Sequence, residues 1–219
     1  MEKQQKEKRN KIVSEYMNTV LNTGETPKSI YILTKELSIT EREFYQYFSS
    51  FEALEKEIFV IFFENAMHLL KDNQDFNGYN ATNKLLSFYF TFIEILTENR
   101  SFVLSRLHAR KNPLAPLKVL DPMKHVFFDF INELDIETLD LKQEQLEKIQ
   151  NKGKENIFWA QFMMILKFWI EDHSPSFEKT DIFIEKTVHA SFDILNIKPV
   201  QSFLELGKFL LKEKMNFKM

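Results

Sequence analysis

The chain has 219 residues, of which 44% are hydrophobic and 28% are charged, an ordinary balance for a globular protein long enough to bury a substantial core. It contains no cysteine, which excludes disulfides, thiol nucleophiles and cysteine metal sites. Its net charge of −3 provides no overall attraction for nucleic acid, so the charge has to be considered segment by segment.

The chain opens with a basic segment and a first helix. Residues 1–11 hold five basic side chains against two acids: Lys3, Lys6, Lys8, Arg9 and Lys11. Such an excess is typical both of a solvated helix end and of an arm that contacts DNA phosphates. A helix is predicted from Asn10 to Asn22, where apolar residues recur in pairs one turn apart, and Gly24 with Pro27 marks its end.

Two short helices are predicted between residues 29 and 48. In the first, the apolar face has the spacing of one buried helical stripe, formed by Ile30, Leu33, Thr34 and Leu37. Ser29 precedes this stripe, where its hydroxyl can cap the first turn. Residues 38–40 interrupt the period, which predicts a tight turn.

The second short helix begins with a capping-box pattern, Thr40 followed three residues later by Glu43. Phe44 and Phe48 lie on one side of this helix. The other side chains are Arg42, Tyr45, Gln46 and Tyr47. A helix-turn-helix needs this division, because one face packs against the partner helix while the other enters a DNA major groove.

The segment LTKELSITEREFYQYFSSFEAL resembles the end of the DNA-binding domain of TetR-family transcriptional regulators. Residues 39–40 are similar to the family's small-residue turn, residues 44–48 to its aromatic cluster, and residues 50–54 to the opening of its fourth helix. The resemblance implies an all-α fold. An N-terminal three-helix helix-turn-helix domain, residues 1–50, would precede a larger helical ligand-binding and dimerisation domain, residues 51–219.

Six residues are the candidate DNA contacts: Ser29, Thr40, Arg42, Tyr45, Gln46 and Tyr47. The resemblance implies that Ser29 and Thr40, at their helix starts, touch the phosphate backbone. Tyr45 and Tyr47 can donate hydroxyl hydrogens to phosphates, and Gln46 can read an adenine edge.

The charge of the same segment opposes DNA binding. Five acids lie between residues 41 and 60, against two basic side chains: Glu41, Glu43, Glu52, Glu55 and Glu57, against Arg42 and Lys56. Phosphates repel carboxylates, although a glutamate can accept from a cytosine amino group. The segment also departs from the family pattern, with Ser38 at the usual turn glycine and Phe51 at a usual lysine. We expect the basic arm to supply much of the phosphate attraction.

Further helices are predicted over residues 51–72, 81–98, 102–107 and 117–134. The first of these would link the small domain to the rest of the chain. Pro122 either starts or kinks the last one. Residues 135–150 leave open a loop with a short helix or an irregular extension, and a final helix is predicted from Pro199.

The phenylalanine-rich helices between residues 81 and 170 could line an apolar cavity or form ordinary core. The resemblance favours a cavity for a small apolar effector. The candidate ligand contacts are Phe88, Phe92, Arg106, His125 and Phe162.

Two long amphipathic helices are predicted over residues 154–172 and 177–196, joined by a short turn that contains Pro175. Their apolar faces are wider than one hairpin can bury, so they are either core or a dimer interface. The resemblance implies the second, a homodimer through these two helices.

Other chemistry has little support. The four glycines cannot build a phosphate-binding loop, and the five histidines form no zinc-type spacing, so no cofactor, metal site or catalytic residue is predicted. The N-terminus lacks the apolar core of a secretory signal, and no run approaches the roughly 20 apolar residues that cross a bilayer. We expect a cytoplasmic protein without membrane association that is not an enzyme.

The sequence thus predicts a TetR-like, ligand-responsive repressor that binds an operator in double-stranded DNA as a homodimer. The alternative is a protein of the same fold that binds a small apolar ligand or a protein partner without DNA. The acidic second helix motivates this alternative.

Overall fold

The computed structural model describes residues 2–107, 118–136 and 144–196 of the chain. These ranges are helical with short connections and contain no β-strand, which confirms the all-α fold. Their α-helices are α1 Glu2–Thr23, α2 Ile30–Glu36, α3 Glu41–Phe44, α4 Phe51–Asp72, α5 Ala81–Glu98, α6 Arg100–Leu107, α7 Asp121–Glu133, α8 Glu144–Glu171 and α9 Glu178–Asn196. Short 3₁₀ turns lie at Phe76–Gly78 and Pro175–Phe177. The helix predicted from Pro199 lies outside the described residues.

The first helix ends where predicted but starts earlier. Gly24 has a φ of 74°, and its backbone N–H donates to the Val20 carbonyl at 2.8 Å, which closes the helix in the left-handed region that glycine favours. The helix begins at Glu2 rather than Asn10. Residues 2–9 consist mostly of Glu, Lys and Gln, strong helix formers that continue a helix without an apolar stripe.

Both predicted caps of the helix pair are present. The Ser29 hydroxyl accepts from the Ile32 N–H at 3.3 Å at the start of α2. At the start of α3 the Thr40 hydroxyl accepts from the Glu43 N–H at 3.2 Å, while the Glu43 carboxylate accepts from the Thr40 N–H at 2.9 Å. These reciprocal bonds satisfy N–H groups that have no partner inside the helix.

The later helices also follow the predicted pattern. The helix predicted over residues 81–98 is α5. α7 begins at Asp121, so Pro122 lies in its first turn, where a missing N–H is tolerated. α8 begins at Glu144, earlier than the predicted residue 154, because residues 144–153 are polar and again rich in the helix formers Glu, Gln and Lys.

The chain divides into two compact units. Unit 1 comprises residues 1–67 and 94–126, and unit 2 comprises residues 68–93 and 127–219. The core of unit 1 includes Tyr16, Leu33, Phe44 and Ile58, and that of unit 2 combines aromatic with aliphatic side chains. The domain boundary between residues 50 and 51 stays a prediction.

The described ranges lack two kinds of special feature, a membrane-spanning helix and a cluster of metal-binding side chains. No helix there is both long and apolar enough to span a bilayer. Nor do these residues bring together three or more His, Cys, Asp or Glu side chains that could hold a metal ion.

Candidate nucleic-acid interface and aromatic cluster

The helix pair α2–α3 is held by a buried apolar face. Leu33 and Phe44 are fully buried, and Leu37 and Phe48 nearly so. The Phe44 ring lies 5.8 Å from that of Phe48 and 5.9 Å from that of Phe51, between ring centroids. This packing fixes the orientation of α3, and therefore of the side chains on its other face.

The candidate DNA contacts lie mainly on the outer side of this pair. Arg42, Tyr45 and Gln46 are exposed, with 53% of Tyr45 accessible to solvent. Tyr47 is half-buried and lines a small apolar notch beside α1. α3 and the turn that follows it thus expose a cation, a phenol and an amide to solvent.

The two capping hydroxyls differ in what they have left to offer a phosphate. The Thr40 hydroxyl donates to the Glu43 carboxylate at 3.1 Å in addition to capping α3. The exposed Ser29 hydroxyl caps α2 as an acceptor and donates to no other described residue. Ser29 is therefore the better placed of the two to donate to an incoming phosphate.

Four of the five acids between residues 41 and 60 are held in ion pairs. The pairs are Glu43–Lys8 at 3.0 Å, Glu52–Lys56 at 2.7 Å, Glu55–Arg106 at 2.7 Å, and Glu57–Arg9. Among the five acids, Glu41 alone makes no ion pair with a described residue, and it is exposed. The negative charge of the segment is therefore much smaller at its surface than its composition indicates.

The hydrogen bonds and the ion pair of Glu43 lower its pKa. The backbone N–H of Thr40 donates to its carboxylate, as do the Lys8 ammonium and the Thr40 hydroxyl, and together they lower the pKa of Glu43 to about 2. The same contact raises the pKa of Lys8. One carboxylate thus closes α3 and holds the start of α1 against it.

Glu55 is the centre of a second network inside unit 1. Its Oε1 accepts from the buried Tyr16 hydroxyl and from Arg106 Nη1, and Arg106 also donates to the Thr26 hydroxyl at 3.0 Å. Burial raises the pKa of Tyr16 well above its ordinary value, and the bond to Glu55 raises it further. The network joins α1, α4, α6 and the turn before α2.

Several cations of this unit are exposed and make no ion pair with any residue that the structure describes. They include Lys6, Lys11, Lys28, Lys35 and Arg42. Lys8 and Arg9, by contrast, are held by Glu43 and Glu57. The basic arm therefore has fewer charges available for phosphates than the sequence suggests, while Lys35 and Arg42 lie on the helix pair itself and Lys28 lies just before it.

Three of the five candidate ligand residues meet in unit 2. Phe88 and Phe92 on α5 stack at 5.5 Å, and Phe162 on α8 lies 5.7 Å from Phe92. All three are buried, and Phe127 and Trp159 extend the aromatic cluster around Phe162, at 5.4 and 5.1 Å. The structure therefore brings these three rings into one aromatic cluster.

The other two candidate ligand residues belong to unit 1. Arg106 is engaged by Glu55 and Thr26, and His125 is exposed on α7. Their contribution to ligand binding stays a prediction, as does that of the phenylalanines.

The predicted hairpin of α8 and α9 is present, and its turn is built around Asp172. This carboxylate accepts from the N–H and hydroxyl of Ser174 at 2.8 and 2.7 Å, and from those of Thr180 at 3.0 and 2.7 Å. Burial raises the pKa of Asp172, but these bonds lower it by more, so its pKa lies below the ordinary value. On the outer surface of the hairpin, Met164 and Ile182 are each 52% exposed.

The contacts of Glu55 were not predicted from the sequence, although one signal was present. Phe51, Glu55, Ile58 and Phe62 follow the spacing of one helical stripe, and an acid inside an apolar stripe indicates a buried partner. The partners themselves, Tyr16 and Arg106, lie 39 and 51 residues away, beyond the reach of local patterns.

Comparison with known proteins adds one match. Residues 84–210, more than half of the chain, match the family model described as "Tetracyclin repressor-like, C-terminal domain". No curated protein matches the chain. The match lies after the helix-turn-helix and does not include it.

Proposed function

We propose that this chain, which belongs to the TetR family of regulators, is a ligand-responsive repressor that binds operator DNA as a homodimer. The family assignment rests on the match over residues 84–210. The observation that carries DNA binding is the outer face of α3, where Arg42, Tyr45 and Gln46 are exposed while four neighbouring acids are held in ion pairs.

In this proposal α3 enters the major groove. Gln46 reads an adenine edge, and Arg42 contacts a guanine or a phosphate. The helix is positioned by phosphate contacts from Tyr45, Tyr47 and Ser29, which set its register on the DNA without reading the sequence. Thr40 can add a further phosphate contact once its hydroxyl no longer donates to Glu43. The exposed Lys28 and Lys35 supply phosphate attraction close to the same surface.

The dimer would form through the outer surface of α8 and α9, where Met164 and Ile182 expose apolar area. Packing two such hairpins against each other gives a four-helix bundle with two-fold symmetry. The symmetry then presents two recognition helices to half-sites about 34 Å apart, one turn of the DNA.

A small apolar effector would bind at the aromatic cluster of unit 2 and change the DNA affinity. It can do so only if it binds two arrangements of the protein with different affinity. In unit 1 the Glu55 network joins α4 to α1 and α6.

The second candidate function is a TetR-family protein that binds an apolar ligand or a protein partner without binding DNA. The specific observation in its favour is that Lys8 and Arg9 are already neutralised by Glu43 and Glu57. Glu41 is also exposed at the start of α3, beside Arg42.

Fluorescence anisotropy would separate the two candidates. The probes are a duplex from upstream of the protein's own gene and an unrelated duplex of equal length, titrated at about 50, 100 and 200 mM salt, a range over which phosphate contacts weaken strongly. The repressor should bind the first duplex more tightly. Replacing Tyr45 and Gln46 together by Ala should weaken that binding at least about tenfold, the loss of one or two good contacts.

Charge removal needs its own control. Arg42→Ala should weaken binding and reduce the salt slope by about one. Lys71→Ala removes an exposed cation from unit 2 and should change neither quantity. Absence of binding by the wild-type protein at about 50 mM salt, where phosphate attraction is strong, would reject the repressor in favour of the second candidate.

A further inference from the structure

The aromatic cluster contains one polar pair, formed by Tyr89 of α5 and Gln161 of α8. Gln161 is only 1% exposed, and its Oε1 accepts from the Tyr89 hydroxyl at 3.2 Å. Its Nε2 is buried and donates to no residue that the structure describes. The two hydrogens of this amide nitrogen therefore have no acceptor within the described ranges.

This arrangement is unusual because buried amides are nearly always hydrogen-bonded; an unpaired one has lost the hydrogen bonds that it makes with water in the unfolded chain. The orientation of the amide is set by Tyr89. Burial raises the pKa of Tyr89 well above its ordinary value, so its hydroxyl keeps its hydrogen and needs an acceptor. The Gln161 carbonyl is that acceptor, which turns the amide nitrogen away from Tyr89.

The surroundings of the pair are aromatic and apolar. The Tyr89 ring lies 5.5 Å from that of Phe88, 6.5 Å from that of Phe127 and 6.4 Å from that of Phe162, in a nearly parallel arrangement with the last. Phe162 in turn stacks on Trp159 at 5.1 Å. Aromatic side chains of this kind favour contact with a planar molecule over a bulky one, and an apolar site disfavours a charge, which would lose its hydration.

We infer that Gln161 is the polar anchor of the effector site, and that the effector is a neutral, planar, mainly apolar molecule with one hydrogen-bond-accepting oxygen, such as an aromatic ketone. The oxygen accepts from Gln161 Nε2, and Tyr89 is a positioning residue that holds the amide. This inference rests on the proposed function, because it describes the ligand of the same protein. The competing explanation is that the pair only joins α5 to α8.

Matched pairs of probes test the inference directly: 9-fluorenone with fluorene, and 1-indanone with indane. Within each pair the shapes are alike, and only the ketone carries an acceptor. Binding to the full chain would be followed by calorimetry and by quenching of tryptophan fluorescence, since Trp159 stacks on Phe162. Each ketone should bind about tenfold more tightly than its hydrocarbon, the effect of satisfying one buried donor.

Variants then assign the preference to the pair. Replacing Tyr89 by Phe and Gln161 by Leu together removes both polar groups, so no unpaired partner is left to destabilise the fold. This double variant should bind the hydrocarbons as the wild type does and lose the preference for ketones. Tyr89→Phe alone should reduce the preference without abolishing it. Thr187→Val removes a hydroxyl that bonds within α9 and should leave the preference unchanged.

Three results would overturn the inference: equal binding of ketone and hydrocarbon to the wild type, binding of neither, or a ketone preference that survives in the double variant. DNA binding is measured on the same preparations. If the wild-type protein shows no ketone preference but still binds DNA, the anchor is rejected and the repressor stands. A ketone preference that depends on Gln161, in a protein that binds no DNA, supports the anchor and rejects the repressor.

Discussion

Arg106 Nη1 donates to Glu55 Oε1 at 2.7 Å, which joins α6 to α4 within unit 1. Both side chains are largely shielded, with 12% and 19% of their surface exposed. Tyr16 donates to the same oxygen from α1, so one carboxylate holds three helices together. The pair is therefore expected to matter more for stability than the ion pairs at the surface of the same unit.

Arg106→Met should lower the free energy of unfolding by about 3 kcal/mol, because it leaves the Glu55 charge largely buried with only Tyr16 as a partner. The matched control is Lys56→Met, which breaks the exposed Glu52–Lys56 pair on the same helix and should cost less than about 1 kcal/mol. Urea denaturation measures both. Equal losses would show that Arg106 contributes no more than a surface charge.

The turn between α2 and α3 should be stabilised by glycine. Ser38 has a φ of 55°, in the left-handed region where a side chain is strained. Ser38→Gly should raise the free energy of unfolding by up to about 1 kcal/mol, and Ser38→Val should lower it by about as much or more. The control is Ser14→Gly within α1, which should be destabilising by about 1 kcal/mol. A loss of stability in Ser38→Gly would contradict the prediction.

The contacts of Glu43 should make the stability of the helix-turn-helix depend on pH below 5. The pKa of Glu43 falls from an ordinary 4.5 to about 2 in the fold. An acid whose pKa is lowered by folding stabilises the fold at pH values above its ordinary pKa. For Glu43 this stabilisation is lost as the pH falls from 4.5 towards 2. Thermal unfolding of wild type and Glu43→Gln should therefore differ at pH 7 and converge towards pH 2. If the difference in melting temperature between wild type and Glu43→Gln does not change with pH, the lowered pKa of Glu43 is not its cause.

Neutralising either of two aspartates at the α8–α9 turn should change the melting temperature, but in opposite directions. Asp172→Asn should lower the melting temperature at pH 7, because the charged carboxylate accepts four hydrogen bonds. Burial, together with the charges of Glu185, Asp172 and Glu178, raises the pKa of Asp181. Asp181→Asn should therefore raise the melting temperature. Shifts of the same sign in differential scanning calorimetry would contradict this account.

The exposed apolar side chains of α8 and α9 should be required for association. Replacing Met164 and Ile182 together by Glu should convert the proposed dimer into a monomer, since two charges would enter each half of a symmetric apolar interface. The control is Leu69→Glu, which changes a similarly exposed apolar residue on α4. Sedimentation velocity distinguishes the species, and a dimer that persists in the double variant would exclude this surface.

Much of the helical pattern was predictable, because helix starts and stops depend on residues close together in the chain. Thr40 and Glu43 are three residues apart, and their reciprocal bonds form as the capping pattern predicts. Gly24 ends α1 for an equally local reason. The early starts of α1 and α8 were missed, because both begin in polar stretches that have helix propensity but no apolar stripe.

The sequence by itself determined the all-α fold, the capped helix pair and the identity of the residues on its outer face, since these depend on local hydrogen bonding and on helical periodicity. Only the tertiary structure decided which charges remain at the surface. Glu43, Glu55 and Glu57 meet Lys8, Arg106 and Arg9 across 35, 51 and 48 residues of chain. A count of acids and bases along the segment cannot anticipate such pairs, because they form only when folding brings distant helices together.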